Sequence, residues 1–138
     1  MRTKSELYDF IRQQEVLYVA SIDGEGYPNI KAMYVPRRIE GNSLYLSTNT
    51  SSMRAKQYTE NPKASVYIIQ GGEGIMLVGT MEVLQDLESK ESIWREEDVQ
   101  YYKEGVTDPD YCVFRFTAEK GRRYYAGESE DFTVEELG

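Results

Sequence analysis

The residues best placed to do chemistry lie between Leu44 and Pro62, in the run Leu-Tyr-Leu-Ser-Thr-Asn-Thr-Ser-Ser-Met-Arg-Ala-Lys-Gln-Tyr-Thr-Glu-Asn-Pro. Leu44, Tyr45 and Leu46 open it as a strand, Ser47 to Ser52 are small and polar, and Met53 to about Thr59 read as a helix. A helix entry presents backbone N–H groups that lack an intrahelical partner, and those groups favour an anion. Ser51 or Ser52 can cap the helix and supply a hydroxyl. Arg54 falls in the first turn, where a cation works against the helix dipole; an anion close by would offset that. The stretch therefore reads as a phosphate cradle at a strand-to-helix junction. The same residues also make an ordinary polar loop with a good N-cap, in which Arg54 points to water.

The rest of the inventory narrows the chemistry. The chain has 138 residues and no histidine, which removes imidazole bases, Ser-His triads and most zinc sites. Cys112 is the single cysteine, so it forms no intrachain disulfide, and its place in the apolar run Tyr111 to Phe116 predicts a buried, inert thiol. The formal net charge of −8 argues against a nucleic-acid binder. Yet Lys31, Arg37, Arg38, Arg54, Lys56 and Lys63 gather in the middle third, while Glu128 to Glu136 carries Glu128, Glu130, Asp131, Glu135 and Glu136 with no base. A local basic site in an acidic chain suits a small anionic ligand. The cluster Gly71-Gly72-Glu73-Gly74 has neither a GxxxxGK pattern nor a following helix, and reads as a turn. Twelve tyrosines could line a planar ligand site or a subunit interface, or simply sit half-buried on strands.

These residues need a scaffold. Thr3-x-x-Glu6 is a capping box, and Leu7, Phe10 and Ile11 keep helical spacing, so residues 4–14 are expected as a helix. Val16 to Ile22 is a strand, Asp23 to Gly26 a turn, and Asn29 to Val35 a second strand that places Lys31 on a face with Met33 and Val35. That lysine either snorkels at a strand end or aims its charge into the mouth of a barrel. Strands follow at Leu44 to Leu46, Ala64 to Ile69 and Ile75 to Leu84, with Gly79 marking a bulge or close backbone approach. Leu87 to about Asp98 is expected as a helix, Val99 to Asp110 as a loop and Tyr111 to Thr117 as a strand. Glu119-Lys120-Gly121 is expected as a turn after which Arg122 to Tyr125 returns, and the rest as an acidic tail with one apolar hook from Phe132 to Val134 and Leu137. Six or seven short strands with two or three helices predict a single domain over residues 1–138, mainly β, folded as an antiparallel barrel with added helices. With no apolar run of membrane length and no signal-peptide core, a soluble cytoplasmic protein is expected.

Taken in order, the motifs resemble those of the pyridoxamine 5'-phosphate oxidase-like split barrels. Thr48-Asn49-x-x-Ser52-x-Arg54, then Asn61-Pro62 and a β-run, looks like their FMN-binding segment. Pro28-x-x-Lys31 is similar to the preceding strand, and Ile75-Met-Leu-Val-Gly79-Thr-Met-Glu82 to the one after the hairpin. The helix Glu88 to Trp94, Tyr101-Tyr102 and Asp108-Pro109-Asp110-Tyr111 resemble the general-stress-protein branch. The resemblance implies an FMN-binding split barrel, antiparallel and Greek-key-like. It implies that Ser52 and Arg54 hold the FMN phosphate, Ser47 and Thr48 touch the isoalloxazine or ribityl chain, and Lys31 donates to the flavin ring. It also implies a homodimer, with Trp94, Tyr101 or Tyr102 reaching the partner's flavin, a core position being the favoured reading for Trp94.

The departures from the family pattern matter as much. Met53 stands where the oxidase has a second basic residue, Pro36 where it has a lysine and Gly74 where it has a glutamine. Fewer phosphate donors imply weaker FMN binding. The oxidase's substrate-side arginine and histidine have no counterpart, so pyridoxine-phosphate oxidation is not expected, nor is the chemistry of histidine-dependent haem-degrading or nitroimidazole-reducing relatives. The reading is an FMN flavoprotein that serves a small molecule with a nicotinamide donor and names no catalytic residue. The alternatives are a deazaflavin-dependent reductase, a non-enzymatic flavin or small-ligand module, and a dimer whose cradle has decayed.

Overall fold

A computed structural model describes residues 3–137. Helix α1, Lys4–Arg12, carries the expected capping box: Thr3 Oγ1 accepts from the Glu6 N–H at 3.1 Å, and the Glu6 carboxylate accepts from the Thr3 N–H at 3.2 Å. Its face of Leu7, Phe10 and Ile11 is buried. The helix ends at Arg12, short of residue 14, because the Gln14 side chain folds back to donate to the Phe10 carbonyl.

Eight strands follow, where six or seven were expected. They are β1 (Val16–Ile22), β2 (Pro28–Tyr34), β3 (Arg38–Glu40), β4 (Ser43–Asn49), β5 (Lys63–Gln70), β6 (Glu73–Leu84), β7 (Tyr111–Tyr125) and β8 (Glu128–Thr133). Helix α2, Met53–Glu60, separates β4 from β5, and α3, Leu87–Ile93, follows β6. The strands pair antiparallel in the order β2-β1-β5-β6-β7-β4-β3, with β8 added to β7. Alternate residues of β1, β4 and β5 turn into one core with Ile75, Leu77, Phe114 and Phe116, closed at one end by α1. The fold is a mainly antiparallel β structure with three helices, as the residue pattern predicts.

Four expectations are corrected. Glu119-Lys120-Gly121 does not turn, because β7 runs through it. The register against β6 shifts between Val78 and Gly79, so Glu119 is the extra residue of a bulge that bends the strand without reversing it. Gly121 serves close packing there: a Cβ would lie 2.5 Å from the Met76 carbonyl and 2.6 Å from the Phe132 ring. The true reversal is Ala126-Gly127, both at positive φ. The acidic tail is ordered as β8, since Arg122 pairs with Asp131 at 2.6 Å and the hook of Phe132, Val134 and Leu137 is buried. The helix expected to Asp98 breaks at Trp94, which is extended (φ −65°, ψ 140°), and resumes as a 3₁₀ turn, Glu96–Gln100. The strand of the opening stretch continues past Leu46 to Asn49, so Ser47 and Thr48 are sheet residues with fixed directions.

Gly79 is the tightest point of the sheet. A Cβ at this position would lie 1.9 Å from the Thr117 carbonyl oxygen, inside backbone that cannot yield. Gly79→Ala is expected to lower unfolding free energy in urea by roughly 2 kcal/mol or more. Gly24→Ala, whose Cβ meets nothing within 4 Å, should leave the midpoint within about 0.5 kcal/mol of wild type.

Candidate functional site

The sheet does not close on itself by hydrogen bonds. β2 stands at one end of the strand order and approaches β4 near the other end, with no ladder between them. A cleft of about 360 Å³ opens along this split. Lys31, Met33, Tyr34 and Val35 come to it from β2 and the residue that follows. Ser47, Thr48 and Asn49 come from β4, Arg54 from α2, and Arg37, Asp98, Tyr101 and Tyr102 from the outer wall.

Four of the five residues singled out from the sequence meet here: Lys31, Ser47, Thr48 and Arg54. The fifth, Ser52, does not line the cleft. Its hydroxyl oxygen caps α2 by accepting from the Ala55 N–H at 3.1 Å, which settles the choice of Ser51 or Ser52 as the cap. Arg54 Nε is buried and has no hydrogen-bond partner among the described residues. An orphaned guanidinium nitrogen is costly, and at this position it faces a helix entry already suited to an anion. Lys31 is exposed on β2 and makes no ion pair among the described residues.

The neighbouring polar groups are already committed, which limits the cradle to fewer donors than its sequence offered. Asp110, at the mouth of β7, accepts from the Thr50 hydroxyl and the Ser51 N–H, both at 2.9 Å, and from the Ser51 hydroxyl at 3.2 Å. Desolvation opposes its charge, but the Ser51 and Thr50 bonds more than offset it and hold its carboxyl below the usual range. A carboxylate of the chain itself thus occupies the loop donors, leaving the first turn of α2 and Arg54. The helix is registered against the β1–β2 hairpin by Gln57, which accepts from Ser21 at 2.5 Å and donates to Asn29 at 3.3 Å. Arg54 and Lys31, one on each element, are held in relation through that buried amide.

The outer wall was not legible as part of a site. Arg37, just past Pro36, donates through two nitrogens to the two oxygens of Asp98, at 2.5 and 2.8 Å, and to the Ile93 carbonyl at 3.0 Å. Asp98 is 3% exposed and also accepts from the Arg95 N–H at 2.9 Å, while its backbone carbonyl takes the N–H groups of Tyr101 and Tyr102. Behind them, Trp94 and Tyr102 each meet the Tyr111 ring edge to face, at centroid distances of 5.0 and 4.9 Å, and lie tilted to each other at 6.4 Å. Ser47 lies beside the Tyr111 hydroxyl without completing a hydrogen bond. Burial pushes the Tyr102 phenol up to about 12, so it stays a neutral donor. Cys112 is fully buried behind the site and its thiol is pushed up to about 12, as fits the inert role expected of it. Among the described residues, no group of three or more acidic or cysteine side chains is placed to hold a metal.

Comparison with known proteins agrees with this architecture. The sequence model of the pyridoxamine 5'-phosphate oxidase family matches residues 3–125. The chain belongs to that family. A solved structure from Clostridium acetobutylicum, of a protein related to general stress protein 26 of B. subtilis in the pyridoxinephosphate oxidase family, is 35% identical. It aligns over 97% of this chain and 96% of that one with a TM-score of 0.85. At lower identity the likeness is one of fold. A pyridoxamine 5'-phosphate oxidase-related, FMN-binding protein from Nostoc punctiforme is 14% identical, covering 95% and 96% of the two chains (TM-score 0.74). A heme binding protein from Mycobacterium smegmatis is 17% identical, over 91% of this chain and 55% of that one (TM-score 0.71). No match was found among curated proteins.

The Arg37–Asp98 pair yields a pH-dependent expectation. Desolvation raises the Asp98 carboxyl, but the Arg37 guanidinium and Arg95 N–H outweigh it, so the folded pKa lies below the unfolded one. The stabilisation is complete above the unfolded value of about 4 and is lost as pH falls through the folded pKa. Asp98→Asn should destabilise the protein by roughly 3 kcal/mol at pH 7, because it leaves Arg37 without its countercharge. It should also flatten the fall of thermal stability below about pH 4 that the wild type shows. An unchanged melting curve at both pH values would show that the pair does not hold the wall.

Proposed function

We propose that this chain is an FMN-binding flavoprotein that passes electrons from a nicotinamide donor to a small molecule, working as a cytoplasmic homodimer. The observation that carries the reading is the buried, unpartnered Arg54 Nε at the entry of α2, in a cleft shared with the unpaired Lys31. A phosphate there would satisfy the guanidinium and the first-turn N–H groups together. Arg54 and the first-turn N–H groups of α2, whose entry Ser52 caps, would hold the phosphate, Ser47 and Thr48 would meet the ribityl chain or ring, and Lys31 would donate to the flavin. Bound FMN supplies reversible one- and two-electron chemistry. The chain's own part is to position it, to place a positive charge where the reduced ring gathers negative charge, and to keep water from one face with Met33 and Val35.

Membership of the oxidase family supports the cofactor, as does the FMN-binding description of the Nostoc neighbour. Haem is a poorer fit, since the chain has no histidine and its only cysteine is buried. Pyridoxine-phosphate oxidation is not proposed, because the family's histidine on the substrate side has no counterpart. The homodimer is supported by the outer face of the β1–β2 ladder. There Ile30 (74% exposed), Ala32 and Tyr34 (78%) pair with Ala20, Tyr18 and Val16 to make a continuous apolar strip. An exposed apolar strip of this kind is a surface that a second copy would cover, and Tyr34 also lines the cleft.

The test is FMN affinity measured by quenching of flavin fluorescence. Wild type should bind with 1:1 stoichiometry per chain. The substitution Arg54→Ala, which removes the charge-assisted bonds, should weaken binding by roughly 10- to 100-fold. Unaltered affinity would sink the assignment. Oxidation of NADH or NADPH by the loaded protein separates an oxidoreductase from a flavin-holding module, which would show tight binding and no turnover.

A further inference from the structure

We propose that Asp110 is a built-in rival to the ligand's phosphate. Its fixed negative charge beside the entry of α2 sets how strongly the cleft prefers a phosphorylated ligand to the same molecule without the phosphate. The inference rests on the FMN reading, because it concerns the group that Arg54 and the entry of α2 would hold.

Three observations carry it. The first is position. Asp110 already holds the donors just before the helix cap: one carboxylate oxygen accepts from the Ser51 N–H and the Thr50 hydroxyl, both at 2.9 Å, and the other from the Ser51 hydroxyl at 3.2 Å. Ser52 takes the Ala55 N–H, so an anion arriving at the entry is left with the N–H groups of Met53 and Arg54. The reach of two or three residues puts the carboxylate roughly 10 Å from a phosphate held there, about one Debye length in 0.1 M salt, so the two anions repel. The second observation is that this charge is not cancelled. Among the described residues, no lysine or arginine forms an ion pair with Asp110. Burial opposes the charge, but the Ser51 and Thr50 bonds outweigh it and keep the carboxyl ionised at neutral pH. The third is rigidity. The Asp110 N–H donates to Asp108 Oδ1 at 2.9 Å, its carbonyl accepts from the Thr50 N–H at 2.7 Å, and the buried Lys90 donates to the Asp108 carbonyl at 2.9 Å. The carboxylate cannot step aside when a phosphate arrives. Arg54 and Lys31 attract the phosphate, and Asp110 takes part of that attraction back. A ligand without the phosphate meets no such opposition. The cleft therefore holds a phosphorylated flavin less tightly than its cations alone would, which leaves it exchangeable.

The test substitution is Asp110→Asn, which removes the charge and keeps the corner. The amide oxygen can accept from the Ser51 N–H and the Thr50 hydroxyl, and the amide nitrogen can donate to the Ser51 oxygen. The probes are FMN and riboflavin, which lacks the phosphate, both titrated by flavin fluorescence, with inorganic phosphate added as a competitor of FMN. Asp110→Asn should bind FMN about threefold to tenfold more tightly than wild type at low salt and hold riboflavin within about twofold, and the gain should shrink at about 0.5 M salt. Inorganic phosphate should compete more strongly by a factor similar to the gain for FMN. Asp110→Ser gives up part of the grip on the corner as well as the charge, and the ratio of FMN to riboflavin affinity should still rise in it even if both affinities fall. A loosened corner would not raise that ratio. An unchanged or lower ratio in both variants overturns the proposal and leaves Asp110 as a pin of the corner. If wild type binds no FMN but Asp110→Asn does, the inference stands and the cofactor reading falls. If wild type binds FMN and the ratio does not move, the reverse holds. If neither form binds FMN, both fall.

Discussion

The constraint on which the structure depends is the ladder that β2 and β4 do not form. Backbone N–H and C=O groups need partners, and most barrels meet that need by closing. Here the two strands approach without pairing, so the sheet keeps an opening lined from both sides. Everything assigned a role borders that opening: Lys31 on one strand, Ser47 and Thr48 on the other, and Arg54 on the helix that leaves β4. The cleft is thus a property of the topology, and residue types decide what it holds. Gln57 fixes the spacing, because its one side chain bonds both the strand before the hairpin turn and the strand after it.

Among the described residues, the two cations that border the cleft from β2 and α2, Lys31 and Arg54, make no ion pair. Arg37, Arg115, Arg122 and Arg123 each have a carboxylate partner, and Lys90, 6% exposed, donates to the Asp108 carbonyl. Asp110 takes the loop donors at Thr50 and Ser51, which pins the strand-to-helix corner without neutralising Arg54. A chain of net charge −8 thereby keeps a small positive site inside it, and the surrounding acidic surface would discourage polyanions while leaving that site to a small ligand.

The residue pattern made the scaffold legible where local physics is decisive. The capping box, the alternation in β1 and β4, the cap at Ser52 and the bulge at Gly79 each follow from the residues within a few positions of themselves. It failed where a distant partner overrides a local preference. Glu119-Lys120-Gly121 has turn composition, yet Gly121 is needed for the approach of Met76 and Phe132. The acidic tail has the composition of a solvated segment, yet Arg122 and the apolar pocket under Phe132 order it as a strand.

What the sequence by itself determined is helices α1 and α2, strands β1, β2, β5 and β6, the mainly β antiparallel class, the inert thiol and a cationic helix entry at Arg54, because each depends on spacing along the chain. Tertiary structure alone decided that Asp110 takes the Thr50 and Ser51 donors of the expected cradle. It also decided that Arg37 and Asp98, 61 residues apart, build the wall carrying Tyr101 and Tyr102. The physical reason is the same in each case. A hydrogen-bonding side chain can serve one geometry at a time, and which partner it serves is set by folding, not by its neighbours in the chain.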